Sequence, residues 1–321
     1  MTSTVTVFGG SGFLGRHTVR ALARAGYRVR VAVRRPNLAM HLLPAGNVGQ
    51  IELRKTDVHD ADAVADALSG ADAAVNLVGV LYSRGRQNFE DLHVRAAETI
   101  ATAAKREGVT TLVHLSSIGA DADAESHYAA SKGEGEARLR AVFPGATILR
   151  PSIVFGPEDA FFNTFAWLAR LSPVLPLIGG GHTRFQPVFV GDVAAAILKC
   201  VREPATRGKT YELGGPGVYS FKDLMAFILK TTGRKRLLLP VPFALARLKA
   251  FFLQLLPSPL LTPDQVTLLK SDNVVAADAL TLADLGIAAD CIEAVVPAYL
   301  WRFRARGQYD ALPRGPLSPT A

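Results

Sequence analysis

Short apolar runs alternate with longer amphipathic segments through the first half of the chain. The runs are rich in Val and Leu and predict β-strands at residues 4–8, 28–33, 51–55, 73–77, 111–115 and 146–150. The segments between them carry Ala and other apolar residues at helical spacing and predict helices at residues 12–24, 61–68, 89–107 and 128–142. Alternating strands and helices are typical of an α/β fold, and we predict a Rossmann-type doubly wound parallel sheet.

The regular alternation ends near Phe155, and this change predicts a second lobe. Residues 188–200 predict a short strand that enters a helix, and residues 209–214 predict a further strand, so we expect the chain to return to the main sheet. We predict an NAD(P)-binding Rossmann domain at 1–157, completed by parts of 186–214, and a smaller interleaved C-terminal lobe at 158–303. Residues 304–321 are rich in Gly, Pro, Arg and Ser, which predicts a flexible tail.

Charge, cysteine content and the start of the chain narrow the function classes. The formal net charge is +8, but the basic residues are scattered without the interleaved aromatic residues of a base-stacking platform, so we expect no nucleic acid partner. Cys200 and Cys291 are the only cysteines and have no His or Cys at ligand spacing, so no metal site is predicted. The first residues lead directly into a strand and lack the pattern of a secretory signal, which favours a cytoplasmic protein.

Three glycines at a spacing of three follow the first predicted strand and precede the first predicted helix. The first permits a sharp turn, the second lets backbone N–H groups approach a pyrophosphate, and the third lets the helix lie close to the sheet. The helix N-terminus then presents unpaired donors and the positive end of the helix dipole to the phosphates. A purely structural turn is the alternative. The predicted cofactor-binding residues of this loop are Gly9, Ser11, Gly12, Phe13, Leu14 and Gly15.

The second predicted strand ends in Arg34 and Arg35, where an NAD-preferring site usually carries an acid for the ribose 2′-hydroxyl. Two guanidinium groups favour a 2′-phosphate, so we predict NADP(H), with NAD(H) and a merely solvated strand end as alternatives. Asp57 either positions the adenine or serves as the N-cap of the following helix. Further predicted cofactor contacts lie at the ends of the third, fourth and fifth strands: Asp57, Val58, Val78, Gly79 and Ser116.

A serine, a tyrosine and a lysine follow the fifth predicted strand. Tyr128 and Lys132 are four residues apart on the next predicted helix and therefore share a face, and Ser117 precedes them. We expect the ammonium, with a positively charged nicotinamide, to lower the phenol pKa, so that the phenol exchanges a proton while hydride moves. The serine hydroxyl orients the carbonyl or alcohol. This predicts Ser117, Tyr128 and Lys132 as catalytic residues, the last two also contacting the cofactor.

From Gly9 to about Cys200 the chain resembles the extended and atypical short-chain dehydrogenase/reductase superfamily, with further matching segments at 150–151, 154–157 and 190–193. The superfamily resemblance adds Pro151 and Ile153 as cofactor contacts. More narrowly, segments 128–135, 143–146, 155–163, 186–190, 261–266 and 284–287 resemble the dehydrogenase-like accessory subunit of respiratory complex I, in a bacterial form.

Two function classes follow from this resemblance. The narrower family implies a tightly held NADPH and support of the quinone-reducing region of complex I (NADH:ubiquinone oxidoreductase) rather than established turnover. Many members of that family alter the serine position, whereas this chain keeps Ser117 with Tyr128 and Lys132. A free-standing NADPH-dependent reductase or epimerase, acting on a small or lipophilic carbonyl or alcohol, is therefore the alternative.

One apolar segment, which begins at Pro242 and ends at Leu256, stands apart from this pattern. It is too short to span a bilayer, and Arg234, Lys235 and Arg236 precede it. A location at a membrane surface, with the basic residues on anionic headgroups, would place the protein peripherally on the cytoplasmic face of the inner membrane. Packing on a protein partner such as complex I, or burial between the lobes, are the alternatives.

Overall fold

The computed structural model describes residues 3–257, 259–305 and 307. Its strands, in chain order, are β1 (Thr4–Phe8), β2 (Arg28–Val33), β3 (Ile51–Lys55), β4 (Ala73–Asn76), β5 (Thr111–Leu115), β6 (Thr147–Pro151), β7 (Val154–Phe155), β8 (Val174–Ile178), β9 (Arg184–Phe185), β10 (Val188–Phe189), β11 (Thr210–Leu213), β12 (Tyr219–Ser220) and β13 (Leu237–Val241). Of the tail predicted at 304–321, residues 306 and 308–321 lie outside the described residues.

The helices, in chain order, are α1 (Phe13–Arg24), α2 (Ala61–Leu68), α3 (Ala96–Arg106), α4 (His127–Val142), α5 (Phe161–Leu171), α6 (Val190–Arg202), α7 (Phe221–Thr232), α8 (Phe243–Leu253), α9 (Pro263–Leu268), α10 (Ile292–Val295) and α11 (Pro297–Leu300). A π-helical segment at Glu90–Arg95 leads into α3. Turns of 3-10 helix lie at Pro36–Ala45, Gly179–Gly181, Pro204–Thr206, Ala283–Leu285 and Trp301–Phe303.

A seven-stranded parallel sheet forms the centre of the fold, in the order β11-β6-β5-β4-β1-β2-β3. The order changes direction beside β1, which is the doubly wound arrangement. Helices α1 and α6 cover one face of the sheet, and α2, α3 and α4 cover the other. Because both faces are buried, a central strand such as β4, all four residues of which are buried, carries apolar residues almost continuously. The predicted fold class is therefore confirmed.

Most predicted elements of the first half match the structure, with local differences. The predicted helix at 89–107 is divided into the π-helical segment and α3. Asp60, and not Asp57, caps α2, because its side chain accepts hydrogen bonds from the backbone N–H groups of Asp62 and Ala63, each at 3.1 Å. Asp57 instead accepts from the backbone N–H of His59 at 3.1 Å. The N-cap alternative for Asp57 is therefore wrong.

A second core lies beyond β6 and is built from α5, α7, α10, α11 and β8, with Phe155, Phe162 and Met225 buried in it. The chain returns to the central sheet between these elements, since β10 leads into α6 and β11 pairs with β6. The C-terminal region is tied to this core by Tyr299, whose hydroxyl donates to Asp159 at 2.5 Å.

Helix α8 turns most of its apolar side chains toward solvent. It packs through Ala246 and Ala250 against Ile178 of β8 and Val266 of α9. On the opposite side, six apolar side chains of α8 and the turn after it are 44% to 75% exposed. These residues, which we call the α8 outer face, are Leu245, Leu248, Phe251, Phe252, Leu255 and Leu256. Burial between the lobes is therefore wrong as an interpretation of the segment at 242–256.

Candidate functional site

The carboxyl ends of the central strands bring the predicted site residues to one edge of the sheet. Gly9 follows β1, Val78 and Gly79 follow β4, and Ser116 and Ser117 follow β5. At the same edge, Arg34 and Arg35 follow β2, and Asp57 and Val58 follow β3. Pro151 is the last residue of β6, and Ile153 lies two residues beyond it. Beside β1 the strand order reverses, and crevices at such switch points are where doubly wound sheets bind ligands.

The glycine loop is compact and leaves the start of α1 open. Gly9 has a φ of 77°, in the left-handed region that favours glycine, and its carbonyl accepts a hydrogen bond from Gly12 at 3.1 Å. A Cβ on Gly15 would lie 2.4 Å from the Gly9 carbonyl oxygen, so a side chain there would collide with the backbone. Gly12 is the N-cap of α1 and supplies no side-chain hydrogen bond. The first N–H groups of α1 can therefore face an anion.

Arg34 and Arg35 are both exposed at the end of β2. With the Gln87 amide oriented so that its oxygen faces Arg34, that oxygen accepts from a guanidinium nitrogen at 2.8 Å. Asp57, on the neighbouring strand end, lies 3.9 Å from the Arg86 guanidinium. Gln87 also lines a cavity of about 550 Å³ together with Val80, Leu81, Tyr82 and Arg84. The basic strand end thus lies beside an open cavity.

The Ser117, Tyr128 and Lys132 side chains meet where β5 and α4 approach each other. Lys132 is buried, and its ammonium donates to the backbone carbonyl of Leu115, the last residue of β5, at 3.2 Å. Burial raises the pKa of the Tyr128 phenol, and interaction with the Ser117 hydroxyl lowers it by a smaller amount. The structure therefore brings the Ser117 and Tyr128 side chains together, with Lys132 one helical turn further along α4.

Burial dominates the electrostatics of this cluster. It disfavours the phenolate and raises the pKa of Tyr128, while the Lys132 ammonium donates to the Leu115 carbonyl. The expected lowering of the phenol pKa by Lys132 together with a positively charged nicotinamide stays a prediction. Burial also lowers the pKa of Lys132 to about 8, although the carboxylate of Glu136 opposes this shift. At neutral pH the phenol is therefore protonated and suited to donate a proton.

His93, in the π-helical segment, is a site residue that the sequence reasoning missed. Its Nε2 accepts from the backbone N–H of Val80 at 3.1 Å, and its Nδ1 lies 2.9 Å from the Ser131 hydroxyl. The imidazole also contacts the Tyr128 ring, with ring centroids 5.4 Å apart. Burial, with the positive charge of Lys132, lowers the His93 pKa to about 2, so the ring is neutral. It fixes both the loop after β4 and the Tyr128 ring.

Helical periodicity could not have distinguished His93 from an ordinary core residue. Its two partners belong to other segments of the chain, one to the loop after β4 and one to α4. The local signal is the π-helical turn itself, because such turns are frequent at functional sites, but it is a property of the backbone and not of the residue pattern.

Two buried hydroxyl groups test whether the site fits a dinucleotide. Ser116 Oγ and Ser117 Oγ are buried, and neither has a partner among the described residues at the distance and angle of a hydrogen bond. Buried hydroxyls usually have a partner, and a ligand bound at the carboxyl edge, where both serines lie, would supply one. Together with the open N-terminus of α1, they fit a nicotinamide dinucleotide and a carbonyl or alcohol group.

Comparison with known proteins extends over almost the whole chain. A protein-family model described as "NAD dependent epimerase/dehydratase family" matches residues 5–214. The mitochondrial NADH dehydrogenase (ubiquinone) 1 alpha subcomplex subunit 9 of Arabidopsis thaliana is 34% identical over 94% of this chain and 78% of its own length. A ceramide reductase of Caulobacter vibrioides is 35% identical over 62% of this chain and 61% of that protein.

A solved structure shows the same fold. The NADPH-dependent quinone oxidoreductase of Escherichia coli, in complex with NADPH, superimposes with a TM-score of 0.74 and 21% identity. The superposition covers 92% of this chain and 99% of that chain. The similarity therefore reaches from the central sheet into the second lobe.

Proposed function

This chain belongs to the NAD dependent epimerase/dehydratase family, and we propose that it is an accessory-type protein of respiratory complex I that holds NADP(H). The observation that carries this proposal is the 34% identity to the plant alpha subcomplex subunit 9 over 94% of the chain. That similarity includes the second lobe, where proteins that share only the dinucleotide-binding domain diverge. The resemblance of the segments at 261–266 and 284–287 to the accessory subunit supports the same interpretation.

The residues that would hold the cofactor are those at the carboxyl edge of the sheet. The first turn of α1 would face the pyrophosphate, and Arg34 and Arg35 would face a 2′-phosphate. The full proposed set comprises Gly9, Ser11, Gly12, Phe13, Leu14, Gly15, Arg34, Arg35, Asp57, Val58, Val78, Gly79, Ser116, Tyr128, Lys132, Pro151 and Ile153. The exposed guanidinium groups and the lack of a carboxylate on β2 itself support NADP(H) over NAD(H).

Arg34 and Arg35 are expected to make NADPH bind more tightly than NADH by about 1–3 kcal/mol, close to the range of about 1.5–3 kcal/mol for a hydrogen bond to a charged group. The Arg34→Ala/Arg35→Ala variant should remove this difference, because no basic group then meets the 2′-phosphate. Isothermal titration calorimetry with both cofactors measures the effect. Arg86→Ala is the matched control, since Arg86 lies near Asp57 but follows another strand. Equal affinities of the unaltered protein for the two cofactors would contradict the assignment.

The α8 outer face supports a position at a membrane surface. Leu245, Leu248 and Phe252 follow the spacing of one helical face, opposite Ala246 and Ala250, which pack inward. Arg247 and Lys249 are exposed along the two borders of this face. An apolar face with basic borders is complementary to a bilayer with anionic headgroups. Among the described residues, every helix is too short or too polar to cross a bilayer.

We expect the tagged full-length chain to be recovered with native membranes and to copurify with complex I after mild solubilisation. Recovery of the chain without complex I subunits would contradict the accessory function. The α8 outer face is tested separately with vesicles of phosphatidylglycerol and phosphatidylcholine. Phe251→Ser/Phe252→Ser should weaken sedimentation with the anionic vesicles at least about tenfold, since burying one Phe side chain stabilises by about 1.5–3 kcal/mol.

The matched control for the vesicle experiment is Leu38→Ser/Met40→Ser, because these side chains are 64% and 59% exposed on another surface of the molecule. Salt should partly release the unaltered protein, since it screens the attraction between the basic borders and the headgroups. Unchanged sedimentation of the Phe251→Ser/Phe252→Ser variant would exclude the α8 outer face as the lipid contact.

A second function, reduction of a lipophilic carbonyl, is favoured by the intact cluster of Ser117, Tyr128 and Lys132. Bound NADPH would supply the hydride. Tyr128 would donate the proton to the carbonyl oxygen, and the Ser117 hydroxyl would orient that oxygen. Lys132 would bind the ribose of the cofactor and take part in the proton relay to Tyr128. The cavity offers such a substrate the apolar side chains of Val80, Leu81 and Tyr82, beside the polar groups of Arg84 and Gln87. The similarity to a ceramide reductase also supports a lipophilic substrate.

A further inference from the structure

The start of the Tyr128 helix is held by a residue from the second lobe. The Asp264 carboxylate, in the first turn of α9, accepts hydrogen bonds from the Ser126 hydroxyl at 3.0 Å and from the backbone N–H groups of His127 at 2.7 Å and Tyr128 at 3.1 Å. Asp264 and Tyr128 are 136 positions apart in the sequence. The contact therefore forms only when the second lobe has packed onto the Rossmann domain.

These bonds satisfy groups that a helix cannot satisfy by itself. The first N–H groups of an α-helix have no partner within the helix. Ser126 is the N-cap of α4, and its oxygen accepts from the backbone N–H of Ala129. The two N–H groups between them, those of His127 and Tyr128, are taken by Asp264. A carboxylate at this end also complements the helix dipole.

Asp264 is itself held in place by its own short helix. Thr262 and Gln265 form a reciprocal capping box around it, with bonds of 3.0 Å and 3.2 Å. A second tether runs between the same two segments, where Lys270 lies 2.8 Å from the carboxylate of Glu125. The carboxylate therefore reaches α4 from a defined position.

We propose that Asp264 is a positioning residue for Tyr128, and that it sets the placement of the phenol through the first turn of α4. This inference rests on the proposed reductase function, in which Tyr128 donates the proton. The Tyr128 ring packs against Phe89 and His93. The backbone N–H of Tyr128 donates to the Asp264 carboxylate, which fixes the backbone that carries the ring. A displacement of about 1 Å at a reacting group can cost about 100-fold in rate.

Asp264→Asn is the informative change, because it keeps the size of the side chain and removes its charge. Only one oxygen of the amide can accept, and its NH₂ group would oppose the N–H donors of α4. The first turn of α4 should then loosen and leave the phenol less buried. Because burial is the main cause of the raised Tyr128 pKa, that pKa should fall toward its ordinary value.

The experiment titrates Tyr128 in the full-length chain by tyrosinate absorbance, as the difference between each protein and its Tyr128→Phe counterpart. Asp264→Asn should lower the Tyr128 pKa, reduce kcat for carbonyl reduction about 10- to 100-fold, and leave the NADPH affinity and KM within about threefold. Asp264→Glu should restore most of kcat, because it keeps the carboxylate. Asp223→Asn is the matched control, since Asp223 caps α7, away from the site.

The outcomes separate this inference from the function on which it rests. If Asp264→Asn and Asp223→Asn lower the melting temperature equally and neither moves the Tyr128 titration, Asp264 is only a structural cap and the proposal is overturned. If the unaltered chain reduces no carbonyl, the reductase function fails, but the titration still decides whether Asp264 places the phenol. Should Asp264→Asn fail to fold, Ser126→Ala removes one of the three bonds, and an unchanged Tyr128 titration would again overturn the proposal.

Discussion

Gly12→Val is expected to abolish NADPH binding while the chain stays folded. Gly12 has φ −74° and ψ 180°, an extended conformation open to any residue. A Cβ there would meet only the Gly9 carbonyl oxygen, at 3.4 Å, which is ordinary contact. The branched side chain would nevertheless fill the space in front of the first N–H groups of α1, where a pyrophosphate would approach. Isothermal titration calorimetry measures the loss directly.

Thermal unfolding with and without NADPH provides the second readout. A ligand present at 100 times its Kd and bound only by the native state adds about 2.7 kcal/mol of stability, and Gly12→Val should show none of it. Gly15→Val is the contrasting variant, because its Cβ would lie 2.4 Å from the Gly9 carbonyl oxygen. That variant should lose stability even without cofactor. Binding of NADPH by Gly12→Val at full strength would show that the loop does not hold the pyrophosphate.

The elements of the Rossmann domain could be predicted because local sequence determines them. Strands β1 and β2 carry buried apolar residues at short intervals, such as Val5 and Val7 in β1, and their ends match the prediction, as do the ends of the edge strand β3. The glycine loop was recognisable because three backbone requirements fall within seven consecutive residues. The alternative in which Asp57 caps α2 was wrong, since Asp57 and Asp60 are both of a residue type that caps helices and only the backbone geometry separates them.

The contacts of the second lobe with the site could not be predicted, because they depend on residues that are distant in sequence. Asp264 caps α4 from 136 positions away, and the Arg84 guanidinium donates to the Pro257 carbonyl, 173 positions away. Composition also could not show whether α8 is buried, since an apolar helix has the same residues on a surface as in a core. Helical spacing likewise does not show that the Lys132 ammonium donates to the Leu115 carbonyl or that burial raises the pKa of Tyr128.

Tyr128→Phe is expected to separate the two proposed functions, because it removes only the ionisable hydroxyl. If the chain is a reductase, NADPH affinity should persist while carbonyl reduction falls about 100- to 10000-fold, the usual contribution of a positioned acid or base. The raised pKa of Tyr128 keeps the phenol protonated, whereas the Lys132 pKa is lowered to about 8. Reduction by the unaltered chain should therefore decline as pH rises through about 8, where the ammonium loses its proton.

In an accessory protein, Tyr128→Phe should leave complex I assembly and membrane NADH oxidation unchanged, whereas Gly12→Val should impair both through loss of the cofactor. Each variant is placed in a strain that lacks the native copy, and membrane NADH oxidation is measured beside NADPH-dependent reduction of a panel of lipophilic carbonyls. Lys132→Ala is the internal comparison, since it should weaken both cofactor binding and reduction. Normal respiration without any copy of the chain would remove the accessory function, because nothing in complex I would then depend on it. If no carbonyl of the panel oxidises bound NADPH, the proposed reductase function is contradicted, because the protonated phenol then has no carbonyl oxygen to which it donates its proton.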